Sequence, residues 1–289
     1  MRPPAIQNYG MRNSAVDRTG RVKSLYFINL WAAIRSQLRS LYSKLHMTPT
    51  KTKKISIAIA GFFCALVVTI VVTSREAMAS ALIGFSDFKE ITPDLYFEPG
   101  IPPNEVAQLL VLYKEARARI SRTYGEYSAQ PVIIFANSEK IRRYGNEYGA
   151  THSLPWRSYV VIGPEGGNVD VIAHELAHAE LVQRIGYWKR MTQVPAWFEE
   201  GMAMQVDYRK DFDFENFSKK ATISRNELWW QKQFHAGGID AVVFNYALSK
   251  EIVRVWRLNH SHSRVYELLN EIRDGKSFNE AFATSGSKS

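Results

Sequence analysis

The chain has 289 residues, 46% of them apolar and 12% aromatic, which is enough for one sizeable hydrophobic core and excludes a disordered or low-complexity protein. The net charge of +9 belongs to the N-terminus, because residues 1–54 carry eleven Lys or Arg and one acid, Asp17, and the other 235 residues sum to −1. The globular part is therefore near neutral, and nucleic acid is not an expected partner. The single cysteine, Cys64, excludes an intrachain disulfide and a thiolate zinc cluster.

The basic arm, residues 1–54, contains one predicted helix over residues 24–45. Its apolar residues recur at helical spacing, and they are Trp31, Ile34, Leu38, Leu41 and Leu45. Arginines and a lysine lie off that stripe. A basic amphipathic helix of this kind either lies on the anionic inner leaflet of a membrane or packs on a partner. Both interpretations stay open.

Residues 55–74 form an uncharged run of twenty residues, ISIAIAGFFCALVVTIVVTS, between Lys54 and Arg75. At about 1.5 Å per residue, a helix of this length crosses a hydrocarbon layer of about 30 Å. The lysines immediately before the run predict that the N-terminus stays in the cytoplasm and that residues 75–289 cross the membrane. We therefore expect a single-pass protein with a periplasmic or extracellular domain.

A second start site, Met47, leaves an alternative open. From Met47 the segment resembles a signal peptide with a lysine-rich beginning and a cleavable Ala77-Met78-Ala79 site. The apolar run is longer than the usual 7–15 residues of a signal peptide, which favours a retained anchor. Both interpretations place the main domain outside the cytoplasm.

The rest of the chain is predicted to be a tether, residues 75–86, and one folded domain, residues 87–289. A long amphipathic helix is expected over 104–124, and short apolar strands over 131–136 and 158–162. From Asn168 onward the pattern is helical almost to the end, and the C-terminal stretch predicts three short helices. Strands followed by helices indicate an α+β domain with a small mixed sheet.

Residues 174–178 read HELAH, a match to the metal-binding motif H-E-x-x-H. Asn168 is a good N-cap and Gly186 a plausible stop, so we expect the motif on a helix. There His174 and His178 are four residues apart on one face and can bind the same metal ion. Glu175 is rotated by about 100° from His174, which suits a base acting on the metal-bound water.

Residues 195–201 read PAWFEEG and predict the start of a second helix, running to about residue 207. A carboxylate in its first turns can be directed at the histidine helix, and Gly201 would let the two helices approach closely. Two histidines and one glutamate form a three-ligand catalytic zinc site that leaves a fourth position for water.

HELAH is followed, after 21 intervening residues, by Glu200-Gly201 within PAWFEEG, and with this pattern the chain resembles the gluzincin metallopeptidases, in particular their peptidase MA-like domains. Thermolysin and the aminopeptidase N group are more distant in pattern. The resemblance implies a zincin-like fold, a zinc ion, and Glu200 as its third ligand beside His174 and His178. Glu199 then faces solvent or lies behind the ligands. The resemblance also implies that strand 158–162 borders the cleft and pairs with an extended peptide substrate.

The chain departs from the thermolysin pattern at one point. Thermolysin has an acid four residues after its ligand glutamate, and Met204 stands there in this chain, so support for His174 must come from elsewhere. Metzincin chemistry is excluded because no histidine follows the motif until His235. The pair His260 and His262 is interpreted as a surface feature.

A peptidase also needs a donor to the oxyanion of its reaction. Tyr246 is the first candidate and His235 the second; the alternative for Tyr246 is core packing with its hydroxyl bonded to backbone. The function expected from the sequence is a membrane-anchored zinc metallopeptidase that cleaves extracytoplasmic proteins or peptides, with Glu175 as the base. The alternative is a catalytically silent zincin-fold binding module tethered to the membrane.

Overall fold

The computed structural model describes residues 74–217 and 225–283, together with the isolated residues 56, 59 and 61. The predicted basic arm and most of the predicted anchor lie outside the described residues. Among the described residues, no helix is both long enough and apolar enough to cross a membrane. The described part is α+β, with nine helices and one mixed sheet of five strands, which confirms the predicted fold class at that level.

The strands are β1 Lys89–Thr92, β2 Leu95–Phe97, β3 Val132–Phe135, β4 Gly149–Leu154 and β5 Arg157–Ile162. The helices before and through the HELAH motif are α1 Arg75–Ala81, α2 Pro103–Tyr124 and α3 Val169–Ile185. The remaining helices are α4 Tyr187–Gln193, α5 Ala196–Ala203, α6 Gln231–Phe234, α7 Ile239–Leu258, α8 Arg264–Arg273 and α9 Phe278–Ala283.

The sheet has the strand order β1-β2-β3-β5-β4. Strands β2, β3 and β5 run parallel to one another, while β1 and β4 pair antiparallel at the two edges. The central strand β3 is buried along its whole length, as are five of the six residues of β5. Continuous apolar runs are typical of strands that are covered on both faces.

Helices and loops cover both faces of the sheet. On one face, Ile133 and Val160 join a core that includes Ile172 and Leu176 of α3. On the other face, Ile134 and Val161 join a smaller cluster. The histidine helix α3 is therefore held directly against the sheet by alternate strand residues.

Residues 75–86, which the sequence predicts to be a tether, instead belong to the folded part. They form α1 and a 3-10 turn, Ile83–Phe85, and α1 contacts β4 and β5. Ser80 and Ile83 are buried, and Ile83 belongs to the smaller apolar cluster. The sequence pattern concealed this helix because it contributes few apolar side chains to the core.

Candidate metal centre

The HELAH motif lies on α3, as its capping residues predict. The side-chain oxygen of Asn168 accepts a hydrogen bond from the backbone N–H of Val171 at 3.0 Å, and Gly186 ends the helix with a φ of 82°. His174 and His178 point to the same side, with their Nε2 atoms 3.1 Å apart. Both imidazoles are buried.

Glu200 of α5 completes a three-residue group. Its Oε2 lies 3.5 Å from Nε2 of His174 and 3.4 Å from Nε2 of His178. Its other oxygen, Oε1, accepts a hydrogen bond from the side-chain amide of Gln231 at 3.2 Å. Gln231 therefore orients the carboxylate so that Oε2 faces the two imidazoles.

The three facing atoms fit a zinc ion. Zinc lies about 2.0–2.2 Å from nitrogen and oxygen ligands, so two ligands of a tetrahedral ion are about 3.3–3.6 Å apart. The observed separations are 3.1, 3.4 and 3.5 Å. Oε2 of Glu200 is buried and makes no hydrogen bond to the described protein atoms. A bound cation would compensate for the loss of hydration of this oxygen. In the described part of the chain, His174, His178 and Glu200 are the one group able to hold a metal ion.

Charge in this group favours a bound cation. Burial alone would lower the pKa of His178, but the carboxylates of Glu200 and Glu199 outweigh it and hold that pKa well above its ordinary value. Burial would likewise raise the pKa of Glu200, but the imidazoles of His178 and His174 hold it well below the usual range. A positive charge among these atoms, supplied by a proton or by a metal ion, is therefore stabilised.

Glu199 does not face solvent, which was one of the two expectations for it. It lies behind His178, on the side away from Glu200. Oε1 of Glu199 lies 3.0 Å from Nδ1 of His178 and is buried with the whole side chain. Because a carboxylate only accepts, Nδ1 of His178 carries the hydrogen, and Nε2 is the nitrogen that faces His174 and Glu200. Arg190 holds the same carboxylate from α4, with its Nε 2.9 Å from Oε2 and its Nη2 2.9 Å from Oε1.

His174 is backed by Asp207, a residue that the sequence analysis missed. Met204, at the position of the thermolysin acid, is buried and lines the cleft instead. Oδ2 of Asp207 lies 3.7 Å from Nδ1 of His174, close enough for charge attraction but longer than a hydrogen bond. Asp207 is fully buried and is held by the guanidinium of Arg209. The available signal for it was an acid that directly follows the mostly apolar stretch 202–206.

Glu175 lies beside the three-residue group and not within it. Its Oε2 accepts a hydrogen bond from the hydroxyl of Thr151 on β4 at 2.7 Å, while its Oε1 has no hydrogen bond to any described residue. A Cβ on Gly149 would lie 2.9 Å from Cγ of Glu175, so the side chain occupies space that only a glycine leaves open. The position agrees with the predicted rotation away from the ligand face.

Tyr246 of α7 contacts the site, and His235 does not line the cleft. The ring of Tyr246 lies 5.9 Å from the ring of His174, centroid to centroid. Its hydroxyl has no hydrogen bond to the described residues, so it is not bonded to backbone there. Burial raises the pKa of Tyr246, and the charges of Glu200 and Glu175 raise it further, so the phenol stays protonated and can donate. His235 is exposed, and its Nε2 lies 3.1 Å from the side-chain oxygen of Gln231.

A cleft of about 830 Å³ opens beside these residues. The residues of the centre that line it are His174, Glu175, Met204, Arg209 and Tyr246, and Gly149 of β4 forms part of its wall. The cleft is therefore large enough for several residues of a peptide, and Glu175 and Tyr246 both line it.

The strand beside the cleft is β4, which corrects the expectation for strand 158–162. Residues 158–162 belong to β5, which lies between β3 and β4 and so has both edges paired. Strand β4 is an edge strand, and Thr151 joins it to Glu175. The sequence concealed β4 because GATHSL is half-buried throughout and shows no apolar alternation.

The expectation that Gly201 lets its helix approach the histidine helix is wrong. A Cβ at Gly201 would lie 2.4 Å from the carbonyl oxygen of Ser249 and 2.6 Å from Cγ2 of Val253, both on α7. The glycine therefore brings α5 close to α7, and not to the histidine helix. The pair His260 and His262 lies at the end of α7, outside the metal group, and the ring of His260 stacks on Trp256.

No family model, no curated protein and no solved structure matches this chain. The likeness to gluzincin metallopeptidases therefore depends on HELAH and PAWFEEG. The geometry of the metal group and its supporting carboxylates is independent of that likeness, because it follows from distances within the described part of the chain.

Proposed function

We propose that this chain is a membrane-anchored, zinc-dependent metallopeptidase that cleaves extracytoplasmic proteins or peptides. The observation that carries the proposal is the buried group of His174, His178 and Glu200, whose facing atoms are 3.1–3.5 Å apart. A metal site without catalytic activity would need only these three residues. Here the same cleft also contains a carboxylate, Glu175, that is held next to the group without joining it.

His174, His178 and Glu200 would hold the zinc, and the carboxylates behind the imidazoles would keep both Nε2 atoms directed at it. When bound, zinc polarises a carbonyl group and acidifies a water molecule. Glu199 and Asp207 supply negative charge on the far side of the histidines, which strengthens the imidazoles as ligands. Asp207 thus takes the place of the acid that the thermolysin pattern has at position 204.

Glu175 moves the proton in this proposal. The hydroxyl of Thr151 holds Oε2 and fixes the plane of the carboxylate, so Oε1 is the atom that takes a proton from the attacking water and delivers it to the leaving amine. Tyr246 donates its phenolic hydrogen to the oxyanion that forms at the scissile carbonyl.

Strand β4 provides the edge on which an extended peptide would pair. Tyr148 accepts a ladder hydrogen bond from Gly163 at 2.9 Å, and antiparallel pairs alternate, so the backbone groups of Thr151 and Ser153 point away from β5. Asn146 already binds both backbone groups of Gly149. A peptide strand would therefore pair at Thr151 and Ser153, next to the base.

The evidence for the membrane anchor and for the compartment is in the sequence. The uncharged run 55–74 and the lysines before it support an extracytoplasmic position for the domain. The only feature in favour of the silent binding module was the missing acid behind His174, and Asp207 lies at that place in the structure. The experiment described next distinguishes the peptidase from the binding module.

Full-length protein in detergent tests the proposal by metal analysis and by digestion of a fluorescent casein. We expect about one zinc per chain and zinc-dependent cleavage. His178→Ala should lose most of the zinc, whereas Glu175→Gln should keep the zinc and lose turnover by at least about a hundred-fold. His262→Ala and Glu165→Gln, which change exposed residues outside the centre, are the matched controls.

Each outcome has a distinct meaning. A folded chain that takes up no zinc after reconstitution would refute both the enzyme and a zinc-holding module. Zinc uptake without cleavage of casein or of extracytoplasmic proteins would favour the silent binding module. Loss of zinc from Glu175→Gln would show that the roles of Glu175 and Glu200 are assigned wrongly.

A further inference from the structure

A second concave site lies apart from the metal group, between α1 and the 3-10 turn Glu139–Arg143. This groove has a volume of about 580 Å³. Its lining consists of Arg75, Met78, Ala79, Leu82, Arg142 and Arg143, here called the arginine groove. Three arginines and three apolar residues line it, and no acid does.

The arginines of the groove are accessible to an anion. In the described part of the chain, no carboxylate lies within ion-pair distance of Arg75 or Arg143. Arg142 pairs with Glu139 at 2.9 Å and with Glu147 at 3.7 Å, but the three side chains are 68%, 81% and 59% exposed. Exposed pairs of this kind contribute little free energy, so the guanidinium can exchange partners.

Apolar side chains beside the arginines are exposed as well. Leu82 is 52% exposed, and Phe85, three residues further along, is 90% exposed. Arginine next to exposed leucine and phenylalanine is the composition of a surface that meets the boundary between lipid head groups and acyl chains. Leu82, which lines the groove, therefore offers an apolar side chain to such a boundary next to the arginines.

The position of the groove in the chain indicates which ligand it would meet. The predicted membrane span ends at residue 74, and Arg75 is the next residue of the chain. At about 1.5 Å per helical residue, the stretch from Arg75 to Leu82 reaches only about 10 Å from the end of the span. The groove is thus kept within reach of lipid head groups.

We propose that the arginine groove binds the phosphate groups of anionic phospholipids in the membrane that carries the anchor, with Leu82 and Phe85 entering the interface. The proposal depends on the proposed anchor and is independent of catalysis. Arg142 also lines the metal cleft. Docking would therefore hold one wall of that cleft at the lipid surface, where membrane-proximal segments of other proteins are the accessible substrates.

The test uses the full chain in vesicles, with Cys64→Ser and a single reporter cysteine, Leu82→Cys, labelled with an environment-sensitive fluorophore. Vesicles contain phosphatidylcholine alone or mixed with phosphatidylglycerol, with a head-group spin label as quencher. We expect a larger blue shift and stronger quenching with phosphatidylglycerol than with phosphatidylcholine alone. Leu258→Cys, at an apolar position that is 68% exposed at the end of α7, is the matched reporter and should respond to neither lipid.

Charge variants test the recognition itself. Arg75→Gln and Arg143→Gln should each reduce the ratio of docked to undocked protein by about five-fold, since a basic residue near an anionic surface contributes about one kcal/mol. Arg254→Gln and Arg273→Gln, which change exposed arginines elsewhere, should leave the ratio unchanged.

Three results would overturn the proposal, each for a different reason. Release of the chain by alkaline carbonate would refute the anchor and the docking that depends on it. Retention of the chain with an unquenched reporter at position 82 would refute the groove alone. An equal response to inorganic phosphate in detergent, without lipid, would assign the groove to a free anion. Zinc content and casein cleavage report separately on the proposed peptidase.

Discussion

The carboxylate behind His178 offers the sharpest test of the metal centre. Glu199 receives the Nδ1 hydrogen of His178 at 3.0 Å and is held on its other side by Arg190. Glu199→Gln keeps a similar shape and an oxygen that can accept the same hydrogen bond. It removes the negative charge, which makes the imidazole of His178 a weaker ligand and leaves the Arg190 guanidinium without its partner.

The expected size of the effect follows from these contacts. Loss of a carboxylate behind a metal-bound histidine typically weakens metal binding by about 10–100-fold. That range corresponds to about 1.4–2.7 kcal/mol of binding free energy. Asp207→Asn should fall at the low end, because Oδ2 of Asp207 is 3.7 Å from Nδ1 of His174 and makes no hydrogen bond to it. The structure therefore predicts an order as well as a magnitude.

Zinc affinity is measured on the full chain in detergent, by competition with a fluorescent zinc indicator at fixed pH and ionic strength. Glu165→Gln, which removes an exposed acid, is the control for the change in net charge. Thermal unfolding of the metal-free variants separates weaker binding from a damaged fold. If folded Glu199→Gln bound zinc as tightly as the parent chain, Glu199 would have no supporting role and the reasoning would be refuted.

Substitutions at three further positions test the surroundings of Glu175 and the packing of α5. Thr151→Val removes the hydroxyl that holds Glu175, so casein cleavage should fall by about 10–100-fold with zinc content unchanged, while Thr151→Ser should retain most activity. Gly149→Ala places a methyl group 2.9 Å from Cγ of Glu175, so initial rates should fall without loss of zinc. Gly201→Ala places a methyl group 2.4 Å from the Ser249 carbonyl oxygen and should destabilise the fold by about 1–3 kcal/mol or more, measured by thermal unfolding without zinc.

Contrary results would be equally informative. Full activity of Thr151→Val would mean that Glu175 needs no support from β4. Zinc loss in Gly149→Ala would mean that the methyl group disturbs α3 and not only the base. An unchanged unfolding temperature for Gly201→Ala would show that α5 and α7 can separate at little cost.

The sequence by itself determined the parts of this protein that depend on local pattern. An N-cap at Asn168, a stop at Gly186 and no proline between them predict α3 with the bounds that the structure has. Helical spacing then places His174 and His178 on one face, because residues four apart lie one above the other. Apolar runs likewise predicted β3 and β5.

Tertiary structure alone decided what surrounds His174, His178 and Glu175. Glu199 reaches His178 across 21 residues of sequence, and Thr151 reaches Glu175 across 24. Such contacts cannot be predicted from the spacing of residues in the sequence, because each depends on how α3 packs against another element. Strand β4 is half-buried and mostly polar, so no alternation marks it, yet its pairing with β5 makes it the edge strand beside Glu175. Asp207 lies beyond the end of α5, so only the folded chain could direct it toward His174.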